Sequence, residues 1–112
     1  MNYHAHIYWH NEPQKTEAIQ LRKHLESLGC WLGQIMDQPI GPHPLPMYQA
    51  NYSDENAAEV EQFLSNQDLT VLLHEDTGHH IDDHTIGARW INEVLVLDIQ
   101  WLKSFATHTK NN

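Results

Sequence analysis

The sequence predicts an α+β domain built on one antiparallel sheet, and two observations lead to this prediction. The first is the chain order, in which short runs of strand-forming residues alternate with segments that carry apolar residues at helical spacing. The second is the length, since 112 residues can form one hydrophobic core but not two. We therefore expect one domain over residues 1–106 and a disordered tail over residues 107–112.

The first strand and the first helix are predicted at the N-terminus. Residues 3–9 are rich in strand formers, and a period of two sends alternate side chains to opposite faces. One face then carries His4, His6 and Tyr8, and the other carries Ala5, Ile7 and Trp9. A helix is expected over residues 13–28, because proline suits a first helical turn and Gly29 stands where a helix usually ends.

Two more strands are predicted on either side of a proline-rich loop. Residues 30–36 are mostly apolar and suit a strand. Residues 39–46 contain four prolines, which exclude regular structure. Residues 47–52 resume an extended pattern and give the third strand.

The second half of the chain is expected to contain two strands and two helices. Ser53 is a suitable N-cap for a helix that ends near Asn66, because its hydroxyl can accept a bond from a free backbone N–H. The apolar run 69–74 predicts a buried fourth strand. A polar stretch follows, and then a short strand over residues 94–97 and a closing helix over residues 99–105 are predicted.

The order β-α-β-β-α-β is that of a ferredoxin-like unit, here with a strand and a helix appended at the C-terminus. In this topology the first and third strands are central, so both helices are expected to pack on Ala5 and Ile7. The opposite sheet face would be open to a ligand or to a second copy of the chain. We therefore expect a homodimer, with Tyr8, Met47 or Tyr52 on the exposed face.

The charge balance argues against two classes of partner. Six Lys and Arg residues against 15 Asp and Glu residues give a formal net charge of −9, whereas nucleic acids and anionic membranes are bound mainly through cationic side chains. No apolar run approaches the roughly 20 residues of a membrane span. Because Cys30 is alone, no intrachain disulfide forms, and a reducing compartment such as the cytoplasm is expected.

Histidine is the main functional signal, since the chain contains ten of them. His4 and His6 share one strand face, His43 lies between prolines that restrict its loop, and His74 ends the predicted fourth strand. Imidazole is the commonest protein metal ligand and a proton carrier near neutral pH. These residues therefore suggest a metal or substrate site, although solvated or hydrogen-bonded histidines on a half-exposed strand explain the same pattern.

The polar stretch 75–87 carries further histidines, among them His84 directly after Asp83. A carboxylate can orient an imidazole ring by accepting a bond from one ring nitrogen. Common enzyme motifs are absent: the sequence has no glycine-rich phosphate loop, no G-x-S-x-G and no H-E-x-x-H.

Four segments of the chain together resemble the DOPA 4,5-dioxygenase family. They are residues 3–8 (YHAHIY), residues 41–49 (GPHPLPMYQ), residues 71–74 (VLLH), and Thr77–Gly78 followed by Asp83–His84. The resemblance extends from about Tyr3 to Leu102. It implies a small dimeric ferredoxin-like protein that opens a catechol ring with O₂ at a non-haem iron.

On this reading, the candidate ligands of Fe(II) are His6, His43 and His74, and zinc or nickel would suit the same site in a purified form. His4 is assigned as the acid/base, and His84 as a second catalytic candidate. Tyr8, Gln49 and Arg89 are candidate contacts for the catechol substrate. Non-haem iron sites for O₂ chemistry usually hold two histidines and one carboxylate, so either Glu75 completes the site or three histidines form it.

Two other functions fit the same residues. One is a dimeric domain of this scaffold that binds a metal without catalysis. The other is an interaction domain whose sheet face serves only for dimerisation, and it predicts no stoichiometric metal.

Overall fold

A computed structural model describes the backbone of residues 1–110 and the side chains up to Ser104. Five strands form one sheet: β1 (Asn2–Tyr8), β2 (Trp31–Leu32), β3 (Met47–Ser53), β4 (Val71–Glu75) and β5 (Arg89–Ile91). Their spatial order is β2-β3-β1-β4-β5, and every neighbouring pair is antiparallel. The α+β class and the ferredoxin-like order of the first four strands are therefore confirmed.

Five helices accompany the sheet in the described part of the chain: α1 (Glu12–Gln20), α2 (Arg22–Ser27), α3 (Ala57–Ser65), α4 (His80–Asp83) and α5 (Ile99–Lys110). The helix expected over residues 13–28 is divided at Leu21, whose N–H is shared at 3.3 Å between the carbonyls of Glu17 and Ala18. Asn11 caps the first of the two helices, and Gly29 ends the second at a φ of 96°.

The start of α3 corrects the predicted capping residue. Ser53 is the last residue of β3, and the helix begins four residues later at Ala57. Asn56 links the two elements, because its side-chain oxygen accepts from the Ser53 N–H at 2.9 Å. Its side-chain amide donates to the Leu28 carbonyl at the end of α2, also at 2.9 Å. A turn held by Asn56 therefore replaces the expected serine cap.

One sheet face is covered by α1, α2 and α3, as the alternation in β1 predicted. Ala5 and Ile7 are fully buried there and belong to the same core as helical residues of all three helices, including Ala18, Leu25 and Val60. Burial of this apolar surface is the main stabilising contribution to the fold.

The other sheet face is covered by the chain itself, which corrects the prediction of an open face. Tyr8, Met47 and Leu72 form a second core with Leu97 from the segment before α5. Tyr8 and Met47 are buried, and Tyr52 is buried on the helical face instead. These residues therefore do not form an exposed apolar patch, and the homodimer stays a prediction without that support.

The C-terminal region differs from the predicted strand and helix. Residues 94–97 form no strand, although Leu97 is buried and Val96 is exposed. The fifth strand lies earlier, at Arg89–Ile91, and pairs with β4. Helix α5 runs through the start of the expected tail to Lys110, while residues 111–112 lie outside the described residues. None of the described helices is long and apolar enough to cross a membrane.

Candidate functional site

Five histidine side chains converge on the sheet face opposite α1, α2 and α3. We call them the histidine cluster: His4 and His6 of β1, His43 of the proline-rich loop, His74 of β4, and His84 after α4. The strand register explains part of this arrangement, because His4 lies directly opposite His74 across the β1–β4 pair. The four histidine segments singled out in the sequence, including Asp83–His84, therefore lie together in the structure.

The rings of the histidine cluster are in direct contact. Nε2 of His6 lies 3.0 Å from Nε2 of His74. The ring centroids are 4.3 Å apart for His6 and His43, and 4.4 Å apart for His74 and His84. His4 lies at the edge, with its ring 5.2 Å from that of His74 and its Nε2 3.5 Å from a carboxylate oxygen of Asp76.

His43 is held by its loop, as the flanking prolines suggested. Gly41 adopts a φ of 59°, which glycine tolerates far better than other residues, and the His43 N–H bonds to the Ile40 carbonyl at 3.1 Å. The Pro42 carbonyl accepts from the N–H of Asp98, just before α5, at 2.8 Å. The ring itself is fixed by a 2.7 Å bond between Nδ1 and the hydroxyl of Tyr8.

His84 is positioned by α4, which corrects the expected role of Asp83. Nδ1 of His84 donates to the His80 carbonyl at 2.7 Å, so its other nitrogen is available. Asp83 is buried and accepts instead from Thr77, from the backbone N–H at 3.0 Å and from the hydroxyl at 2.6 Å. Asp83 therefore closes the loop before α4 and makes no bond to the imidazole of His84.

A cavity of about 220 Å³ adjoins the cluster. We call it the histidine cavity, and it is lined by the five cluster histidines together with Pro42, Gln49, Asp76, His80, Trp101 and Leu102. Gln49, predicted to contact a substrate, therefore lines the histidine cavity. Tyr8 is not among the lining residues, because it is fully buried behind His43. The structure places it where it can support His43 and not touch a ligand.

Arg89 is not brought to the histidine cavity. Its partner across the β4–β5 pair is Leu73, which belongs to the core on the helical face. The guanidinium there makes two 2.8 Å bonds to the carboxylate of Glu61. The alternation of β5 therefore directs Arg89 away from the site, and the expected contact with substrate does not form in this arrangement.

Burial keeps the cluster imidazoles neutral. Desolvation is the largest cause that lowers the pKa of His43, to about 3, and of His74, to about 4. The pKa of His6 lies well below its usual range for the same reason, with neighbouring histidines adding to the effect. Burial also lowers the pKa values of His4 and His84. Neutral rings present the lone pairs that metal binding needs.

His6 has a hydrogen-bonding deficit that a metal ion would relieve. Nδ1 of His74 lies 3.0 Å from the Glu75 carbonyl, to which it can only donate, so Nε2 of His74 carries a lone pair. His6 can then donate from Nε2 to His74, or present a second lone pair to it. In the described structure Nδ1 of His6 is buried without a hydrogen-bond partner, which is unfavourable for a polar atom.

Two groups of three histidines have ligand atoms within 4.8 Å of one another. One is His4, His6 and His74, and the other is His6, His43 and His84. His43 and His74, paired by the sequence prediction, thus fall in different groups joined by His6. His84, predicted as catalytic, takes the place of a ligand in the second group. The family resemblance included Asp83–His84, but no spacing within the sequence indicated a ligand role, because only the placement of α4 brings His84 to β1.

No carboxylate belongs to either three-residue group among the described residues. Glu75 follows His74 in β4 and pairs with Tyr3 of β1, so its side chain points to the opposite sheet face from that of His74. It lines a different cavity. Its backbone carbonyl, and not its side chain, contacts His74. Of the two alternatives for the donor set, the geometry favours histidines alone.

Comparison with known proteins gives matches over most of the chain. A DOPA 4,5-dioxygenase from Amanita muscaria is 29% identical over 108 residues, which cover 87% of this chain and 47% of the fungal protein. An uncharacterized 21.2 kDa protein from Botryotinia fuckeliana is also 29% identical, over 88% of this chain and 62% of its own length. The chain thus spans about half to three fifths of these two relatives.

A solved structure shares the fold over nearly its whole length. It is a "putative dioxygenase" from Nostoc punctiforme, 31% identical, with a TM-score of 0.88 and coverage of 93% of this chain and 92% of that one. The family model described as the Dopa 4,5-dioxygenase family matches residues 3–101. That span includes every member of the histidine cluster, and the chain belongs to the Dopa 4,5-dioxygenase family.

Proposed function

We propose that this protein is a non-haem iron dioxygenase that opens the ring of a catechol, such as DOPA, with O₂. The observation that carries the proposal is the convergence of five buried or half-buried neutral imidazoles on one cavity, with an unpartnered nitrogen on His6 at their centre. Family membership supplies the reaction type, because one relative is named a DOPA 4,5-dioxygenase.

The donor set fits a divalent transition metal. Imidazole nitrogens suit iron, zinc, nickel and copper, and we assign the ligands from among His6, His43, His74 and His84, the most closely packed rings. Bound Fe(II) would supply the redox chemistry that joins O₂ to an electron-rich ring. Hydrogen bonds from the outer nitrogens of His74 and His84 to backbone carbonyls fix the ring orientations that such binding needs.

The remaining residues of the cavity would bind and orient the catechol. Gln49 offers amide hydrogen-bonding groups beside His6, its partner in the β1–β3 register. Trp101 and Leu102 of α5 provide an apolar wall that suits an aromatic ring. His4 is the assigned base: it lies at the edge of the cluster next to Asp76, and as a neutral imidazole it can accept a proton from a catechol hydroxyl.

The test is O₂ consumption after anaerobic loading with Fe(II). With a catechol as substrate we expect O₂ uptake and a yellow ring-opened semialdehyde that has incorporated both atoms of O₂. His74→Ala is expected to abolish turnover. The matched control is His79→Ala, because His79 is exposed on the neighbouring loop and does not line the histidine cavity. A fully active His74→Ala variant, or no O₂ uptake with any catechol, contradicts the proposal.

A second function is favoured by the absence of a carboxylate from both ligand groups in the described residues. Zinc, nickel and copper bind imidazole sites more tightly than Fe(II) does or equally well, so a metal-binding domain without ring-opening activity fits the same donors. Elemental analysis showing one such metal per chain, together with no O₂ uptake after exchange for Fe(II), would identify this alternative.

A further inference from the structure

Two cavities meet at His4 and Asp76. The first is the histidine cavity, and the second is a larger one of about 590 Å³, which we call the outer cavity. His4 and Asp76 line both of them. A substrate whose ring occupies the histidine cavity and whose side chain extends toward the outer cavity would pass these two residues.

Among the described residues, neither cavity is lined by Lys or Arg, and the carboxylate of Asp76 lines both. The outer cavity adds the carboxylate of Glu55 to that of Asp76, together with several asparagine amides. Arg89, the guanidinium that the sequence suggested for a substrate carboxylate, is bound to Glu61 on the opposite sheet face. A substrate carboxylate at this position would therefore meet the carboxylates of Asp76 and Glu55, and no Lys or Arg among the described lining residues.

Asp76 is suitably placed to bind a cation. Its side chain is 40% exposed, and its one described side-chain contact is His4, at 3.5 Å. At about 4 Å, opposite charges near a protein surface attract measurably and like charges repel to a similar extent. The strand register fixes the backbone of Asp76 independently, through a 2.8 Å bond from its N–H to the Asn2 carbonyl.

We infer that Asp76 determines substrate specificity, and that the site prefers catechols whose side chain ends in an amine over those whose side chain ends in a carboxylate. The inference rests on the proposed function, since it assumes that the catechol ring binds in the histidine cavity. A catechol amino acid, which carries both groups, should lie between the two. We expect a preference of about tenfold, the size of one moderately screened ion pair.

The experiment compares three catechols with the same ring and similar short side chains, which end in an ammonium group, a hydroxyl group or a carboxylate. The value of kcat/KM from O₂ uptake by the Fe(II)-loaded protein should fall in that order. Dissociation constants for the same compounds, measured calorimetrically with the zinc-loaded protein, should rise in that order and do not depend on turnover.

Variants then locate the effect. Asp76→Asn keeps the side-chain shape and should remove the preference, so that the amine and the neutral compound bind with equal dissociation constants. The control is Glu59→Gln, which removes the same charge from the exposed face of α3, where it lines neither cavity. The preference should persist in this control.

The outcomes separate the two hypotheses. Absence of O₂ uptake with all three compounds contradicts the proposed function, and the calorimetric order still decides the specificity. Equal dissociation constants, a preference for the carboxylate, or no binding of any catechol overturns the role of Asp76. A preference that survives in Asp76→Asn also overturns it.

Discussion

Nε2 of His6 and Nε2 of His74 lie 3.0 Å apart in the interior of the protein. Burial lowers the pKa of both imidazoles, so both rings are neutral near pH 7. At most one hydrogen atom can lie between these two nitrogens. If it does, Nδ1 of His6 is a buried acceptor without a partner; if it does not, two lone pairs face each other. Either arrangement is unfavourable without a cation, and the protein without metal should be correspondingly less stable.

Acid should destabilise the metal-free protein in a defined pH range. The unfolded chain takes up protons at histidine near a pKa of about 6.5, whereas in the folded chain the pKa of His43 is about 3 and that of His74 about 4. Because the unfolded state binds more protons between these values, the free energy of unfolding should fall as the pH decreases from about 7 to about 5.

Urea unfolding at several pH values measures this dependence above the range in which most carboxylates titrate. A His43→Gln, His74→Gln double variant should show a shallower dependence on pH. The same slope in both proteins would contradict the assignment of buried neutral histidines.

Tyr8→Phe should strongly lower the affinity for metal while causing only a small loss of folding stability. The Tyr8 hydroxyl can accept from Nδ1 of His43 at 2.7 Å, which leaves Nε2 free as a ligand. Loss of such a supporting bond typically lowers metal affinity by about 10- to 100-fold. Competition with a chromophoric chelator for Zn(II) gives the affinity directly.

Tyr48→Phe is the matched control for this variant. The Tyr48 hydroxyl is equally buried but donates to the Ala18 carbonyl on the helical side of the sheet, at 2.6 Å. We expect it to lose about 1 kcal/mol of stability with unchanged Zn(II) affinity. Equal losses of affinity in both variants would show that the effect is a general consequence of destabilisation.

Gly41→Ala should impair both stability and the site. Gly41 has a φ of 59°, so a side chain there would strain the backbone of the loop that carries His43, while the added Cβ would meet the indole of Trp101 at an ordinary contact distance of 3.4 Å. Gly78→Ala provides a comparison with backbone strain alone, because its φ is 87° and no atom lies within 4 Å of the added Cβ. Both variants should lose about 1–2 kcal/mol of stability, but only Gly41→Ala should also weaken binding of metal or catechol.

Thr77→Val should loosen the loop that precedes His84. The change removes the hydroxyl that donates to the buried carboxylate of Asp83 at 2.6 Å, and bonds to charged groups contribute about 1.5–3 kcal/mol. Unfolding experiments should therefore show a loss of this order. Thr77→Ser retains the hydroxyl and should recover most of it, whereas failure of Thr77→Ser to do so would assign the effect to the methyl group.

Arg89→Gln should leave catalysis unchanged, because Arg89 bonds to Glu61 on the face opposite the histidine cavity. The guanidinium is half exposed, so the pair should contribute no more than about 1 kcal/mol to stability. Steady-state O₂ uptake with a carboxylate-bearing catechol provides the measurement. A large increase in KM would show that Arg89 does contact the substrate.

Periodicity predicted the faces of β1 well, because its alternate side chains meet different surroundings, the apolar core on one face and the histidine cluster on the other. The same reasoning failed at residues 94–97. There Leu97 is buried and Val96 is exposed, so the apolar alternation is real. It arises from packing of an irregular segment on the second core and not from strand pairing. The true fifth strand, Arg89–Ile91, is only three residues long and gives too short a pattern to recognise.

The site was predictable only where local structure fixes a side chain. His4 and His6 had to share a face, and prolines flanking His43 indicated a held loop. The position of His84 depends on how α4 packs against the rest of the chain, and the separation of Arg89 from the site depends on the register of β5. Both are tertiary facts, which no sequence period reveals.

The bond from the Asp98 N–H to the Pro42 carbonyl joins the loop of His43 to the segment that leads into α5. The histidine cavity is thus assembled from parts of the chain that are distant in sequence, and it is complete only when the last helix has docked. A metal that binds this cavity and not the unfolded chain would raise the apparent melting temperature with its concentration. Metal supply would then control how long the protein survives in the cell as well as whether it reacts, since the folded population determines exposure to proteolysis.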